Sequence, residues 1–387
     1  MRPLTKNQKS LLSILSLSLF GVRCNDIDNE LDFKELKTES LNQTVYTLIY
    51  PVIKEIIPMS LKKNWKNTYS HIISKNLRVD YEHSELHKLL TGNNIPYTIL
   101  KGFSSAYYYS DPLKRMMGDV DFLIPESHIE NTKKVLESYG FECKIGSHCS
   151  HHIKYNRGNS IWELHNSMGG IPEGVCGEKI KGYLSNFINR SEFIECNDII
   201  CRIPCAFEHG LIMLIHVAKH ITSGEGVGLR HLCDWAVYVN KVDISEYQLE
   251  LEELGLWTFA CQLTAVCINY LGVRKYKWCD NVSESFIESF IEDIFAAGNF
   301  GRKAETRGVA YRIVEQENLF SSLAARTKNY YHFLQKYSLL MPICMVMYAF
   351  GFLWRRITGK MKWVKLSSIK DGVERKKLYK QFHLFER

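Results

Sequence analysis

Two neighbouring stretches decide the fold of this chain: Tyr97-Thr-Ile-Leu-Lys-Gly-Phe-Ser104 and Arg115-Met-Met-Gly-Asp-Val-Asp-Phe-Leu-Ile124. Each contains a short apolar run that is typical of a buried strand. Asp119 and Asp121 lie one residue apart in the second run, so on a strand both carboxylates project from the same face. Like charges placed together repel each other unless a cation lies between them, and Mg²⁺ takes oxygen ligands that it shares with phosphates. The pattern predicts a magnesium site, with a turn-capping role for Asp119 as the alternative.

A third carboxylate on a neighbouring strand would complete such a site. Glu163, within Ile161-Trp-Glu-Leu-His165, is an acidic residue inside an apolar alternation and is the candidate. The alternative is an edge-strand carboxylate that pairs with a nearby lysine. Four histidines cluster near it in the sequence: His148, His151, His152 and His165.

The segment between the two strands has features that suit a phosphate. Glycine at position 102 lets a backbone approach a ligand closely, and a helix beginning at Phe103 or Ser104 would present free N–H groups. A lysine or arginine could neutralise phosphate charge, although Lys101 could equally be a solvated lysine at a strand end. The candidate nucleotide-binding residues are Lys101, Gly102, Ser104 and Arg115.

A second group of histidines lies later in the chain. His216 and His220 are four residues apart on a predicted helix, and His231 follows on the next helix. A histidine pair at that spacing can bind zinc, but here no glutamate accompanies it in the His-Glu-x-x-His arrangement. The other interpretations are residues that line a cleft beside the sheet, and ordinary buried or surface histidines. The candidate acceptor-pocket residues are His165, His216, His220, Arg230 and Asp234.

Composition and charge limit the function further. The chain has 387 residues, 45% of them hydrophobic and 24% charged, as is ordinary for a folded protein. Twelve cysteines without a Cys-x-x-Cys pair predict reduced thiols and a cytoplasmic location. Residues 355–387 contain eleven Lys/Arg and three Asp/Glu, a net charge of +8, so residues 1–354 carry 38 basic and 39 acidic groups. A neutral body gives no electrostatic support to nucleic-acid binding.

The order of apolar patterns predicts an α+β fold with a small mixed sheet and helical regions on either side. Strands are predicted at 97–100, 120–124 and 160–165, further strands could lie at 141–145 and 152–155, and a helix is predicted at 127–139. Four units follow from these patterns: a helical N-terminal region (1–92), a core that contains the predicted sheet (93–170), a mainly helical C-terminal domain (171–335), and an apolar helix with a basic tail (336–387).

Both ends of the chain leave alternatives open. Leu11, Leu12 and Leu15 fit one face of an opening amphipathic helix, although the basic-then-apolar order also resembles an export sequence that ends near Cys24. Residues 337–354 carry no charge. They could form a helix packed on the body, a contact with a membrane surface, or a membrane span at the short limit of length. The basic tail behind them would suit an anionic membrane surface.

These residues together resemble a known family, the uncharacterised nucleotidyltransferases of the polymerase-β-like superfamily. The resemblance covers residues 10–356 in patches. It includes Leu100-Lys-Gly102, Asp111-Pro112, Arg115, Gly118–Ile124, Ile161–His165 and the region from His216 to Asp234. Two positions differ from the wider superfamily: Lys101-Gly102-Phe103-Ser104 stands in place of Gly-Ser or Gly-Gly, and Glu163 stands in place of aspartate.

The resemblance implies a transferase that moves NMP from an NTP to a hydroxyl group. By that likeness Asp119 and Asp121 hold one or two Mg²⁺ ions and Glu163 is the third acidic ligand or base. The acceptor is an unidentified small molecule, sugar or protein, and a nucleic acid is not expected. The alternative is a catalytically silent binding or accessory protein that keeps the fold, with membrane contact through residues 337–387.

Overall fold

The computed structural model describes residues 3–22, 31–144, 152–303, 306–315, 323–324, 327–328, 330–335, 337–358 and 365–386. His148, His151 and Cys24 lie outside these residues. The four helices before the sheet are α1 (Lys6–Phe20), α2 (Phe33–Asn42), α3 (Tyr46–Ile53) and α4 (Met59–Gly92). The short helix α5 (Phe103–Ala106) and the helix α6 (Ile129–Ser138) lie within the sheet region. The later helices are α7 (Val175–Tyr183), α8 (Phe187–Arg190), α9 (Ala206–Thr222), α10 (Leu229–Lys241), α11 (Gln248–Glu253), α12 (Trp257–Leu271), α13 (Glu284–Ala297), α14 (Arg307–Glu315), α15 (Met341–Ile357) and α16 (Leu366–Lys380).

The central feature is a five-stranded mixed sheet in the order β1-β2-β5-β4-β3. Its strands are β1 (Thr98–Ile99), β2 (Val120–Leu123), β3 (Glu142–Cys143), β4 (His152–Arg157) and β5 (Ser160–His165). β2 and β5 run parallel and the other neighbouring pairs run antiparallel. A separate antiparallel hairpin consists of β6 (Glu192–Cys196) and β7 (Ile199–Ile203). The predicted α+β fold is confirmed.

Two hydrophobic cores hold these elements together. One core lies on the sheet, where Phe122, Trp162 and Leu164 are fully buried beneath α4 and the hairpin. The other core joins the first three helices to α9, α10, α12 and α13. Leu11, Leu12, Ile14 and Leu15 of α1 are fully buried in it, which confirms the predicted opening helix. The amphipathic pattern is not confirmed, because Ser13 and Ser16 are fully buried as well. The division into four units stays a prediction, although the shared core shows that the N-terminal helices pack on the C-terminal ones.

The helices of the C-terminal region are joined by a buried group of charges, here called the Asp293 cluster. Asp293 on α13 forms ion pairs with Arg307 on α14 and with Arg375 on α16, and it accepts a hydrogen bond of 2.7 Å from the hydroxyl of Tyr379. All four side chains are buried. The cluster therefore fixes α16 onto the body.

The predicted strands and helices agree closely with the observed elements around the sheet. The region at 222–228 is a loop between α9 and α10, as its glycines indicate. The largest difference is α4, a single helix of 34 residues, whereas the sequence predicted a helical N-terminal region (1–92) without one long helix in it. The hairpin of β6 and β7 was also not predicted. Its turn places Asn197 and Asp198 at positive φ, which requires a tertiary context to recognise.

Candidate active site

Three carboxylates lie on one face of the sheet. Asp121 is the second residue of β2, and Asp119 precedes that strand directly. In the parallel pairing of β2 with β5, Asp121 lies opposite Glu163. Residues opposite each other and residues two apart on one strand share a face, so all three side chains point away from the core under Phe122. β5 lies between β2 and β4, so Glu163 is not on an edge strand.

Asp121 is the most strongly paired of the three. Its Oδ1 lies 3.1 Å from Nζ of Lys101 and 2.9 Å from Nε2 of His165. Burial alone would raise the pKa of Asp121, but these two cations outweigh burial and hold it well below its usual value. Burial would likewise lower the pKa of His165, yet its hydrogen bonds with Asp121 and Glu163 raise it. These five residues, Asp119, Asp121, Glu163, Lys101 and His165, are called the Asp121 cluster.

Asp119 contrasts with its neighbour. In the part of the chain that the structure describes, its carboxylate has no hydrogen-bond or ion-pair partner. Burial, followed by repulsion from Asp121 and Glu163, raises the pKa of Asp119 to about 6. An unpaired carboxylate beside two others is the arrangement that a divalent cation relieves.

Glu163 is held by its neighbours on the sheet. It forms an ion pair with Lys154 of β4, as the alternative interpretation anticipated, and its Oε2 lies 3.8 Å from Nε2 of His152. Burial raises its pKa, but hydrogen bonds from His165 and Lys154 outweigh burial and lower it, so the side chain stays ionised. Ligand atoms of His152, Glu163 and His165 lie within 4.8 Å of one another, which makes them a second candidate metal group. The raised pKa of His165 favours its protonated form, which has no free lone pair for a metal.

The turn after β1 lies at the mouth of this site. Gly102 has φ +68°, and a Cβ there would lie 3.2 Å from Nε2 of His83, so a side chain at this position is disfavoured in both conformation and space. A helix begins at Phe103 as predicted, but it has only four residues. Ser104 is fully buried and does not line the cavity, whereas Ser105 does. The phosphate-contacting role predicted for Ser104 therefore fits Ser105 better, because adjacent helical residues face different directions.

Arg115 is engaged in a structural pair and not free in the cavity. Its Nε and Nη2 donate to the two oxygens of Asp234 at 2.7 and 2.8 Å, and Tyr109 donates to the same carboxylate at 2.8 Å. All three side chains are buried. Both residues line the first of two cavities beside the sheet, but each satisfies the other, so the assignments of Arg115 as a phosphate contact and of Asp234 as an acceptor contact stay predictions. They link the sheet region to α10.

Arg230 lines the first cavity and has no ion-pair partner among the described residues. Its Nε is buried without a hydrogen-bond partner among the described residues, and its Nη1 makes one long contact of 3.4 Å with the carbonyl oxygen of Met116. Its guanidinium lies 5.3 Å from the ring centre of Phe300. Burial, followed by repulsion from Arg115, lowers the pKa of Arg230 to about 10. A buried guanidinium without a carboxylate is a ready partner for an anionic ligand.

The later histidines come together as a group on α9 and α10. Ligand atoms of His216, His220 and His231 lie within 4.8 Å of one another. However, Nδ1 of His231 accepts a hydrogen bond of 3.3 Å from the backbone N–H of Gly228. Neutral His231 therefore carries its proton on Nε2, which is a donor and not a metal ligand. This geometry disfavours the zinc interpretation.

Two adjoining cavities separate the sheet from α9 and α10. The first, of about 280 Å³, is lined by Asp119, Asp121, Arg230 and His231, and the second, of about 370 Å³, by Glu163, His165 and His220. Small-molecule sites fall at roughly this size and upward. The residues that line both cavities are Lys101, Ile212, His216 and Phe300.

Sequence reasoning missed Phe300, the residue between the two cavities. Its ring centre lies 4.7 Å from that of His220 and 5.1 Å from that of His231. Its φ of 55° is in the left-handed region, which is uncommon for an aromatic residue. The only sequence signal is the pair of glycines at 298 and 301 that flank it. Ser105 and His152 were likewise not assigned to the site.

An α+β sheet with three clustered carboxylates beside a cavity is the architecture of a nucleotidyltransferase. The chain belongs to the family described as uncharacterised nucleotidyltransferase, which matches residues 32–272. The matched region contains the whole sheet, α9 and α10, and hence every residue predicted for the site. No curated protein matches the chain.

Proposed function

We propose that this protein is a Mg²⁺-dependent nucleotidyltransferase that moves NMP from an NTP to a hydroxyl group of a small molecule, sugar or protein. The observation that carries the proposal is the unpaired carboxylate of Asp119, which lies on the cavity wall beside Asp121 and Glu163. Oxygen donors of this kind fit Mg²⁺. The family supports the reaction class. A cytoplasmic location remains a proposal that rests on the cysteine pattern.

Nucleotidyl transfer forms a bond between the acceptor oxygen and the α-phosphorus, and it breaks the bond to the bridging oxygen so that pyrophosphate leaves. The proton of the acceptor hydroxyl passes to a base, Glu163 or water. Bound Mg²⁺ would supply charge neutralisation at the phosphate oxygens. Asp119 and Asp121 would hold it, and Glu163, which stays ionised, would serve as a further ligand or as the base. Lys101 and Arg230 face the same cavity and would balance the charge of the phosphates.

Isothermal titration of ATP with and without Mg²⁺ tests this proposal. We expect Mg²⁺-dependent binding in the wild type, its loss in Asp121→Asn, and unchanged binding in the control Asp280→Asn, which changes an exposed aspartate far along the chain. Transfer of radiolabel from each of the four NTPs into a cell lysate would then identify the base and the acceptor. Absence of ATP binding in the wild type would contradict the proposal and favour a silent accessory protein.

A further inference from the structure

The helix α15 has an unusual distribution of side chains. Ile343, Val346, Met347, Phe350 and Trp354 are 56–70% exposed, and they recur every three or four residues along one face. On the opposite side, Cys344 and Met345 are buried against the protein. A helix on the surface of a soluble protein has its polar face outward. In α15 the outward face is apolar.

This helix also meets the length and composition of a membrane span. Within the described residues, it is the one segment that does so, at Ser338–Arg355 with a mean hydropathy of 1.5. Only 11% of that segment is buried inside the protein. Residues 337–354 therefore pack on the body through few side chains and leave most of the segment exposed.

The packing of α16 on the protein argues against a single crossing of a membrane by α15. α14 precedes α15 in the chain, α16 follows it, and these two helices pack on each other. Gly372 allows the close approach, since a Cβ there would lie 3.3 Å from the carbonyl oxygen of Ala310. The Asp293 cluster adds a buried ion pair between Asp293 and Arg375. One crossing by α15 would place α14 and α16 on opposite sides of a bilayer and separate these contacts.

The charge around α15 indicates what covers its apolar face. Residues 355–387 carry a net charge of +8, whereas the rest of the chain is near neutral. The exposed cations of this region include Lys365, Lys370, Lys377 and Lys380, on and beside α16. An apolar helix face that is followed in the chain by a concentration of lysines suits the boundary between acyl chains and anionic headgroups.

We propose that α15 lies in the plane of an anionic membrane surface, inserts its apolar face, and holds the nucleotidyltransferase body against that surface. The apolar face would contact the acyl region while the lysines contact the headgroups. This surface is separate from the cavity of the Asp121 cluster, so the proposal does not depend on the reaction.

Co-sedimentation with vesicles tests this inference on the full chain. The vesicles contain phosphatidylcholine alone or with about one third phosphatidylserine. We expect binding at least ~10-fold stronger to the anionic vesicles, weakened by high salt. The double variant Ile343→Glu/Phe350→Glu should lose binding by ~10-fold or more, because both side chains would enter the acyl boundary. The control Leu249→Glu changes an exposed leucine on α11 and should bind like the wild type.

Two further measurements separate this proposal from its competitors. Alkaline carbonate should release the bound protein, since an interfacial helix does not span, and retention in the pellet would overturn the in-plane arrangement in favour of a span. Analytical ultracentrifugation should find the same oligomeric state in the wild type and the double variant. Failure to bind either vesicle, with self-association lost in the double variant, would overturn the proposal in favour of a second copy on α15. Circular dichroism verifies that the variants fold.

Discussion

The Asp121 cluster and the Asp293 cluster are built from the same kinds of residue but differ in how completely the charges are paired. Asp293 meets two arginines and a tyrosine, and all of these side chains are buried. Asp121 also meets two cations, but it shares its sheet face with Glu163 and with an unpaired Asp119, and a cavity adjoins them. A buried aspartate is therefore a weak indicator of function. The informative feature is a carboxylate without a partner among the described residues, on a cavity wall and beside other carboxylates.

The sharpest test of this difference compares the stability of two variants. We expect Asp293→Asn to lower the free energy of unfolding by about 3–5 kcal/mol, because it leaves Arg307 and Arg375 buried without a carboxylate. Asp119→Asn, measured in EDTA, should change stability by less than about 1 kcal/mol or increase it, since it removes repulsion and no partner. Urea unfolding at pH 7.5 measures both. Equal losses would show that the two clusters are structurally equivalent.

The candidate site also shows which of its features could be predicted from the sequence and which could not. The pair Asp119 and Asp121 follows from strand periodicity within three residues, and the strand and helix patterns around it follow from similarly local signals. The role of Arg115 depends on Asp234, which lies 119 residues further along the chain. No local pattern contains that information, so the free cation could not be distinguished from the paired one. The position of Phe300 depends in the same way on long-range packing.

Asp80 on α4 is a further buried aspartate. Among the described residues, no lysine, arginine or histidine forms an ion pair with it. Its Oδ1 is buried without a partner in the described structure, and burial, followed by repulsion from Asp111, raises its pKa from 3.8 to about 7. A raised pKa means that the folded state binds the proton more tightly than the unfolded state. The carboxyl group therefore lowers stability progressively as the pH rises from about 4 to about 7.

We expect Asp80→Asn to remove this loss and to be more stable than the wild type at pH 8, by an amount on the order of 2 kcal/mol. The advantage should shrink as the pH falls to 4.5. Urea unfolding across this pH range is the measurement. The control Asp198→Asn changes an exposed aspartate in the lining of the same surface pocket and should follow the wild type. If the free energy of unfolding of Asp80→Asn equals that of the wild type at every pH, the raised pKa assigned to Asp80 is contradicted.

Arg230 is the cationic counterpart of Asp119, because each is a charge that the fold places at the cavity without an opposite partner. If the guanidinium of Arg230 binds a phosphate group of the ligand, a neutral residue at this position should weaken ligand binding without lowering the free energy of unfolding. We expect Arg230→Met to raise the Kd of Mg²⁺-ATP about 10-fold, or about 1.4 kcal/mol, and to leave the free energy of unfolding unchanged or higher, since no buried ion pair is broken.

Isothermal titration and urea unfolding on the same preparation separate binding from stability. The control is Lys275→Met, which removes an exposed cation on a surface loop and should change neither quantity. A variant that keeps wild-type affinity would mean that Arg230 faces a neutral part of the ligand. A variant that loses stability would mean that the contact with Met116 and Phe300 holds the helix in place, so that the unpaired charge is structural after all.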